Sequence, residues 1–148
     1  MSEHTKRPEK CDQMALALWA ADCAEHVLIF FEKKYPKDKR PRKAIDLCRA
    51  WVSGEVKFTA IRAAALASHA AARETTDAAA RAAARAAGQA VATAHVAGHA
   101  RAAADYAVKA AANAGVSEAE ERDWQRRRLP KHLWPIALPP KKTHPHAD

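Results

Sequence analysis

Glycine is scarce: Gly54, Gly88, Gly98 and Gly115 are the only four in 148 residues. No stretch is rich enough in accessible backbone N–H groups to make a phosphate-cradling loop, and no Gly-x-Ser-x-Gly elbow surrounds Ser53 or Ser68. Cysteine is scarce too. Cys11, Cys23 and Cys48 are odd in number and lack paired spacing, which argues against a disulfide framework and a zinc knuckle. Cys23 and Cys48 fall inside apolar helical patterns and read as small buried hydrophobes of a reducing compartment. The longest apolar stretch near the N-terminus, Met14 to Phe31, is interrupted by Asp22, Glu25 and His26. It reads neither as a spanning helix nor as a signal peptide, so the expectation is a cytoplasmic protein without a membrane partner. Aromatic residues are only 6% of the chain. A core must therefore be organised around few large anchors, chiefly Trp19, Trp51, Trp124 and Trp134, and the length suits one such core.

What the chain has is alanine at helical spacing. Residues 60–114 hold 29 alanines in 55 positions, which makes strong intrinsic helices with thin sides that approach one another closely. The expected fold is all-α: one domain over 11–130, a bundle or short superhelical array of about five to six helices. Residues 1–10 are expected to be a flexible segment, and 131–148 a Pro-rich extended tail.

Leu16, Trp19, Cys23, Val27 and Phe30 mark one face of a first helix from about Asp12 to Lys34, stopped by Tyr35-Pro36. Pro41 opens a second helix that ends near Gly54, and a third spans about Phe58 to Glu74. Asp77 supplies an N-cap for a helical stretch to Ala114, either one long bent helix or, as preferred, two with a junction near Gly88 or Gly98. Ser117-x-x-Glu120 reads as a capping box for a last short helix anchored by Trp124.

The formal charge is +8, and it is clustered. Lys33, Lys34, Lys37, Lys39, Arg40, Arg42 and Lys43 crowd one connection; Arg126, Arg127, Arg128 and Lys131 lie near the C-terminus. The readings are solvated charge, a surface for an acidic protein partner, or phosphate binding. Two separated clusters without interleaved aromatics argue against nucleic acid.

Chemistry could also reside in Asp22, His26, His69, His95 and His99. Asp22 with His26, and His95 with His99, are four residues apart, a spacing that puts both members of a pair on one helix face and suits metal chelation. No His-Glu-x-x-His or Glu-x-x-His motif accompanies them. The competing reading is a buried polar network that fixes the register of thin Ala-lined interfaces. No cofactor is called for, and a C2 homodimer is the default assembly.

Several runs together resemble a known family: Trp19 to Val27 (WAADCAEHV), Arg40-Pro41-Arg42, Arg49-Ala50-Trp51 with Gly54-Glu55, and His69 to Arg73 (HAAAR). Ala92 to His95 (ATAH) with His99, and Arg122 to Gln125 (RDWQ) before Leu129-Pro130, complete the set. Over about residues 14–130 the chain resembles the immunity-protein family of bacterial polymorphic-toxin systems. The resemblance implies a small cytoplasmic protein that binds a cognate toxin and neutralises it without chemistry of its own.

Overall fold

Proline, glycine and side-chain caps mark most helix ends in the computed structural model, which describes residues 9–54 and 56–139. Helix α1 spans Lys10–Val27 and is followed after a single turn residue by α2, Ile29–Glu32. Helix α3 is Arg40–Val52, with Pro41 in its first turn, and α4 is Phe58–Arg73. Helix α5, Ala78–Ala92, is capped by Asp77, whose carboxylate accepts from the Ala80 N–H at 2.9 Å. Helix α6 is His99–Asn113, and α7, Glu118–Arg127, begins at Ser117, whose hydroxyl accepts from the Glu120 N–H at 3.2 Å. No strand occurs among the described residues.

Gly115, at φ +90°, closes α6: the Val116 N–H reaches the Ala111 carbonyl at 2.8 Å and the Gly115 N–H reaches that of Ala112 at 3.1 Å. A side chain would be strained in that left-handed geometry, so glycine is the residue for it.

Two expectations are corrected, and one left open between two positions is decided. The first helix does not run unbroken to Lys34: it is interrupted at Leu28, whose N–H bonds to Glu25 three residues back, a single tightened turn after which α2 continues to Glu32. The stretch from Asp77 to Ala114 is two helices, with residues 93–98 as the junction, so the break lies at Gly98 and not at Gly88. The C-terminal segment is not extended from residue 131. Lys131–Leu133 form a 3₁₀ turn and Trp134–Ala137 a short helix, α8, which packs on α6. Trp134 donates from Nε1 to the Leu129 carbonyl at 2.9 Å, and the buried Leu133 and Ala137 hold this turn to the body. Residues 1–8 and 140–148, which hold most of the expected flexible segment and half of the expected tail, lie outside the described residues.

Helix α5 is the centre. It packs against α1, α2, α3, α4 and α6, and its Ala80, Ala83, Ala84, Ala86, Ala87 and Ala90 are fully buried. The larger buried side chains come from the surrounding elements: Leu16, Phe31, Ile45, Ile61 and Leu133. Each such residue stabilises the fold by roughly 1.5–3 kcal/mol through the area it removes from water, whereas a buried alanine contributes one methyl group. Helices α1 and α2 together are long and apolar enough to cross a membrane, yet 56% of the most apolar window is buried inside this fold, where it packs as a core element.

Gly88 serves close approach and not a turn. A methyl group there would come within 2.7 Å of the His69 ring, which lies against the bare α5 backbone.

A candidate partner-binding surface

The outward face of α1, continued at the start of α2, carries Leu18, Asp22, Glu25, His26 and Ile29, a stripe at helical spacing that the core leaves uncovered; Leu18 is 41% and Ile29 51% exposed. Arginines from α3 flank it on one side. Arg49 reaches Asp22 and Glu25, both at 2.8 Å, and Arg42 reaches Glu25 at 2.9 Å and Glu32 at 3.0 Å. The hydrogen bond from Arg49, joined by that from Arg42, holds the Glu25 carboxyl below its usual range. Each pair is partly exposed and contributes on the order of 0–1 kcal/mol, so the network orders this face more than it stabilises it.

Helix α7 flanks the other side. The His26 ring stacks on Trp124 at 3.7 Å between centroids with the planes 3° apart, and its Nδ1 meets Glu121 Oε2 at 2.8 Å. The Arg128 guanidinium lies 4.2 Å from the Trp124 ring centroid, a cation–π contact. Asp22, Glu25, His26, Trp124 and Arg128 together line an open cleft of about 330 Å³.

Sequence reasoning missed the residues that dock α7. Glu121 and Gln125 are buried at 3% and 0% exposure on a helix whose one large apolar anchor in the sequence is Trp124. Gln125 clamps three helices: its carbonyl accepts from Trp19 Nε1 at 2.8 Å, its Nε2 donates to the Ala104 carbonyl at 2.8 Å, and its Oε1 accepts from Arg122 at 2.9 Å. The i, i+4 spacing of Glu121 and Gln125, one turn apart beside Trp124, is the only local sign of this buried stripe.

The five predicted His and Asp residues are not brought together. Asp22 and His26 lie on the α1 face just described. His69 and His99 lie on the α4–α5–α6 side, where His69 Nδ1 accepts from Arg85 at 3.0 Å and His99 Nδ1 meets Gln89 Oε1 at 2.7 Å. Burial, then Arg85 and Arg73, pushes the His69 pKa down, and burial with His95 does the same to His99. His95 sits in the 93–98 junction, exposed, with its ring 5.0 Å from that of Phe58. The expected His95/His99 pair on one helix face is therefore absent, because α5 ends at Ala92, before His95, and α6 begins only at His99. No group of three or more His, Cys, Asp or Glu side chains among the described residues is placed to hold a metal ion. The fully buried polar side chains are instead Ser68, Thr93 and Gln125. Burial also raises the Cys23 and Cys48 thiols, Cys48 to about 12, so neither is a thiolate nucleophile near neutral pH.

The basic clusters divide by pairing. Arg40 is bound to Asp38 and Glu74, both at 2.7 Å, Arg42 to Glu25 and Glu32, Lys34 faces Asp77 at 3.7 Å, and Arg126 pairs with Asp123 at 2.9 Å. Lys33, Lys37, Lys39, Lys43 and Arg127 are exposed and have no carboxylate partner among the described residues. Lys43 and Arg40, with Asp46, also stand at the rim of a groove of about 610 Å³ between α3 and α4, whose lining includes Leu47, Ala50, Ala63, Ala64 and Ala67.

No curated protein and no solved structure matches this chain. A family model does match, over residues 6–132, and that span includes every helix of the α1/α3/α7 face and both basic clusters. On the strength of that span, the chain belongs to the family described as Imm-5 like putative immunity protein.

Proposed function

We propose that this protein is a cytoplasmic, non-enzymatic immunity protein that binds a cognate toxin and blocks it. Family membership over residues 6–132 is the observation that carries the reading. The surface proposed for contact is the α2–α3 connection with the adjoining α3–α4 groove. There Lys33, Lys37, Lys39 and Lys43 form no ion pair with a carboxylate of the described chain, and Lys43 stands with Arg40 and Asp46 at the rim of a groove lined otherwise by Leu47 and alanines. Cations outside an ion pair beside a largely apolar groove suit an acidic partner surface: the charges steer encounter and the groove buries area once contact is made. Arg40, already engaged with Asp38 and Glu74, holds the groove's edge in place.

Co-expression with toxin genes adjacent in the source genome tests the function. Restored growth with one of them is the expected result, and failure with every neighbour sinks the reading. Replacing Lys33, Lys37, Lys39 and Lys43 by Glu tests the surface separately. The expected result is an unchanged circular dichroism spectrum and an association rate lowered by about tenfold or more at low salt. Wild-type association kinetics in that variant would move the contact elsewhere while leaving the function standing.

A further inference from the structure

Helices α5 and α6 run antiparallel, which sets the first turns of α5 beside the last turns of α6. A cavity of about 280 Å³ lies between them, with Ala82 at its base and Arg81, Arg85, Tyr106, Lys109 and Asn113 around it. The thin alanine sides that let the two helices close up also leave the long residues at the seam to rise as walls. The volume is near the low end of small-molecule sites, which run from roughly 300 Å³ upward.

Its charge sets it apart. Arg40, Arg42, Arg49, Arg122 and Arg126 each face a carboxylate at 3.0 Å or closer. Arg81 and Arg85 face only neutral acceptors: Arg81 donates to the Thr75 carbonyl at 2.7 and 3.3 Å, and Arg85 to His69 Nδ1 at 3.0 Å. Guanidinium cannot accept, so His69 Nδ1 is the unprotonated nitrogen and the ring brings no countercharge. Lys109 has no ion-pair partner among the described residues, and no carboxylate lines the cavity. Asp77, at the adjacent N-cap, is turned to the Ala80 N–H and to Lys34.

Three cations therefore surround one small concavity without an anion. The contacts to Thr75 and His69 fix the two arginines while leaving each with at least three N–H groups unspent, so the cost of ordering them is met before a ligand arrives. We propose that this pocket binds a small phosphate-bearing molecule, its phosphate oxygens taken by Arg81, Arg85 and Lys109, with Asn113 and the Tyr106 hydroxyl as neutral partners. Phosphate suits it better than carboxylate, because a dianion with three terminal oxygens uses several cations at once, whereas a carboxylate is satisfied by one arginine fork. The inference stands apart from the toxin-binding reading.

The test uses the full chain, titrated at constant ionic strength with inorganic phosphate, pyrophosphate and adenosine monophosphate, and with acetate as the control. Amide NMR shifts confined to 78–85 and 106–113 are expected with the phosphates and not with acetate; the three probes separate free phosphate from an organic ester. Lys109→Ala and Arg81→Ala should each weaken pyrophosphate binding by about tenfold or more, with an unchanged melting temperature in Lys109→Ala, whose side chain has no ion-pair partner among the described residues. A second readout is internal: an anion beside Arg85 offsets its charge, so the His69 ring should titrate at higher pH when the site is filled. No shifts at millimolar phosphate, equal shifts with acetate, or full binding in Lys109→Ala would each overturn the proposal.

Discussion

The two sides of this molecule are built on opposite principles. Around α1, α3 and α7 the interior is made of large side chains, Leu16, Trp19, Phe31 and Ile45, and the outside is laced by Arg42, Arg49 and their carboxylates. Around α5 and α6 the interior is methyl groups, and the side chains that fix register are small polar ones. Ser68 donates to the Ala84 carbonyl at 2.8 Å, and the Cys48 thiol faces the Ala17 and Ala90 carbonyls at 3.4 and 3.3 Å. The first side derives its stability from area removed from water. The second derives it from dispersion at short range, where little can be added or moved.

The two sides should accordingly fail in opposite ways. Trp19→Ala removes a buried anchor and leaves the Gln125 carbonyl without its indole partner. It is expected to cost about 3–5 kcal/mol in urea unfolding, the largest effect of the set. Ala87→Leu, at a fully buried site on α5, forces bulk between close helices and should cost about 1–3 kcal/mol. If the Ala87→Leu protein were as stable as the parent, the alanine seam would have slack and the contrast would break.

The smallest effect separates the two sides by acid. His69 and His99 are held below the usual histidine value of 6.5, so below that pH the unfolded chain takes up protons that the native state refuses, and stability falls. Glu25 and Asp38 are held below their usual 4.5 and 3.8 by Arg49 and Arg40; their contribution is whole above those values and is lost as pH drops through the native-state pKa. Unfolding free energy should thus decline in two steps on acidification. Replacing His69 and His99 by Gln should flatten the upper step alone, and loss of both steps together would show that the two sides do not titrate independently.

Much of the helical layout was legible, because Pro36, Pro41, Gly54, Asp77, Gly115 and Ser117 act locally, through backbone geometry or a cap within three residues. The junction at 93–98 was legible only through Gly98. Past the end of α5, Gln13 takes up the freed carbonyls: its Nε2 donates to those of Thr93 and Ala94 at 2.9 and 3.1 Å from 80 and 81 residues away. The site was less legible for the same reason. A run of basic residues reads as one patch, yet Arg40 and Arg42 are matched by Glu74, Glu25 and Glu32 from other helices, and only the fold shows which lysines remain without a carboxylate partner.

A central rod of alanine has an evolutionary consequence. Because five neighbours touch α5, an exchange at any of its buried alanines for a larger residue adds volume that has nowhere to go, and the one smaller residue weakens the helix itself. Sequence drift is channelled outward, to helices whose exteriors can trade one charge for another at little cost to the fold. A lineage could in this way retune what its surface recognises, generation after generation, around an axle that stays still.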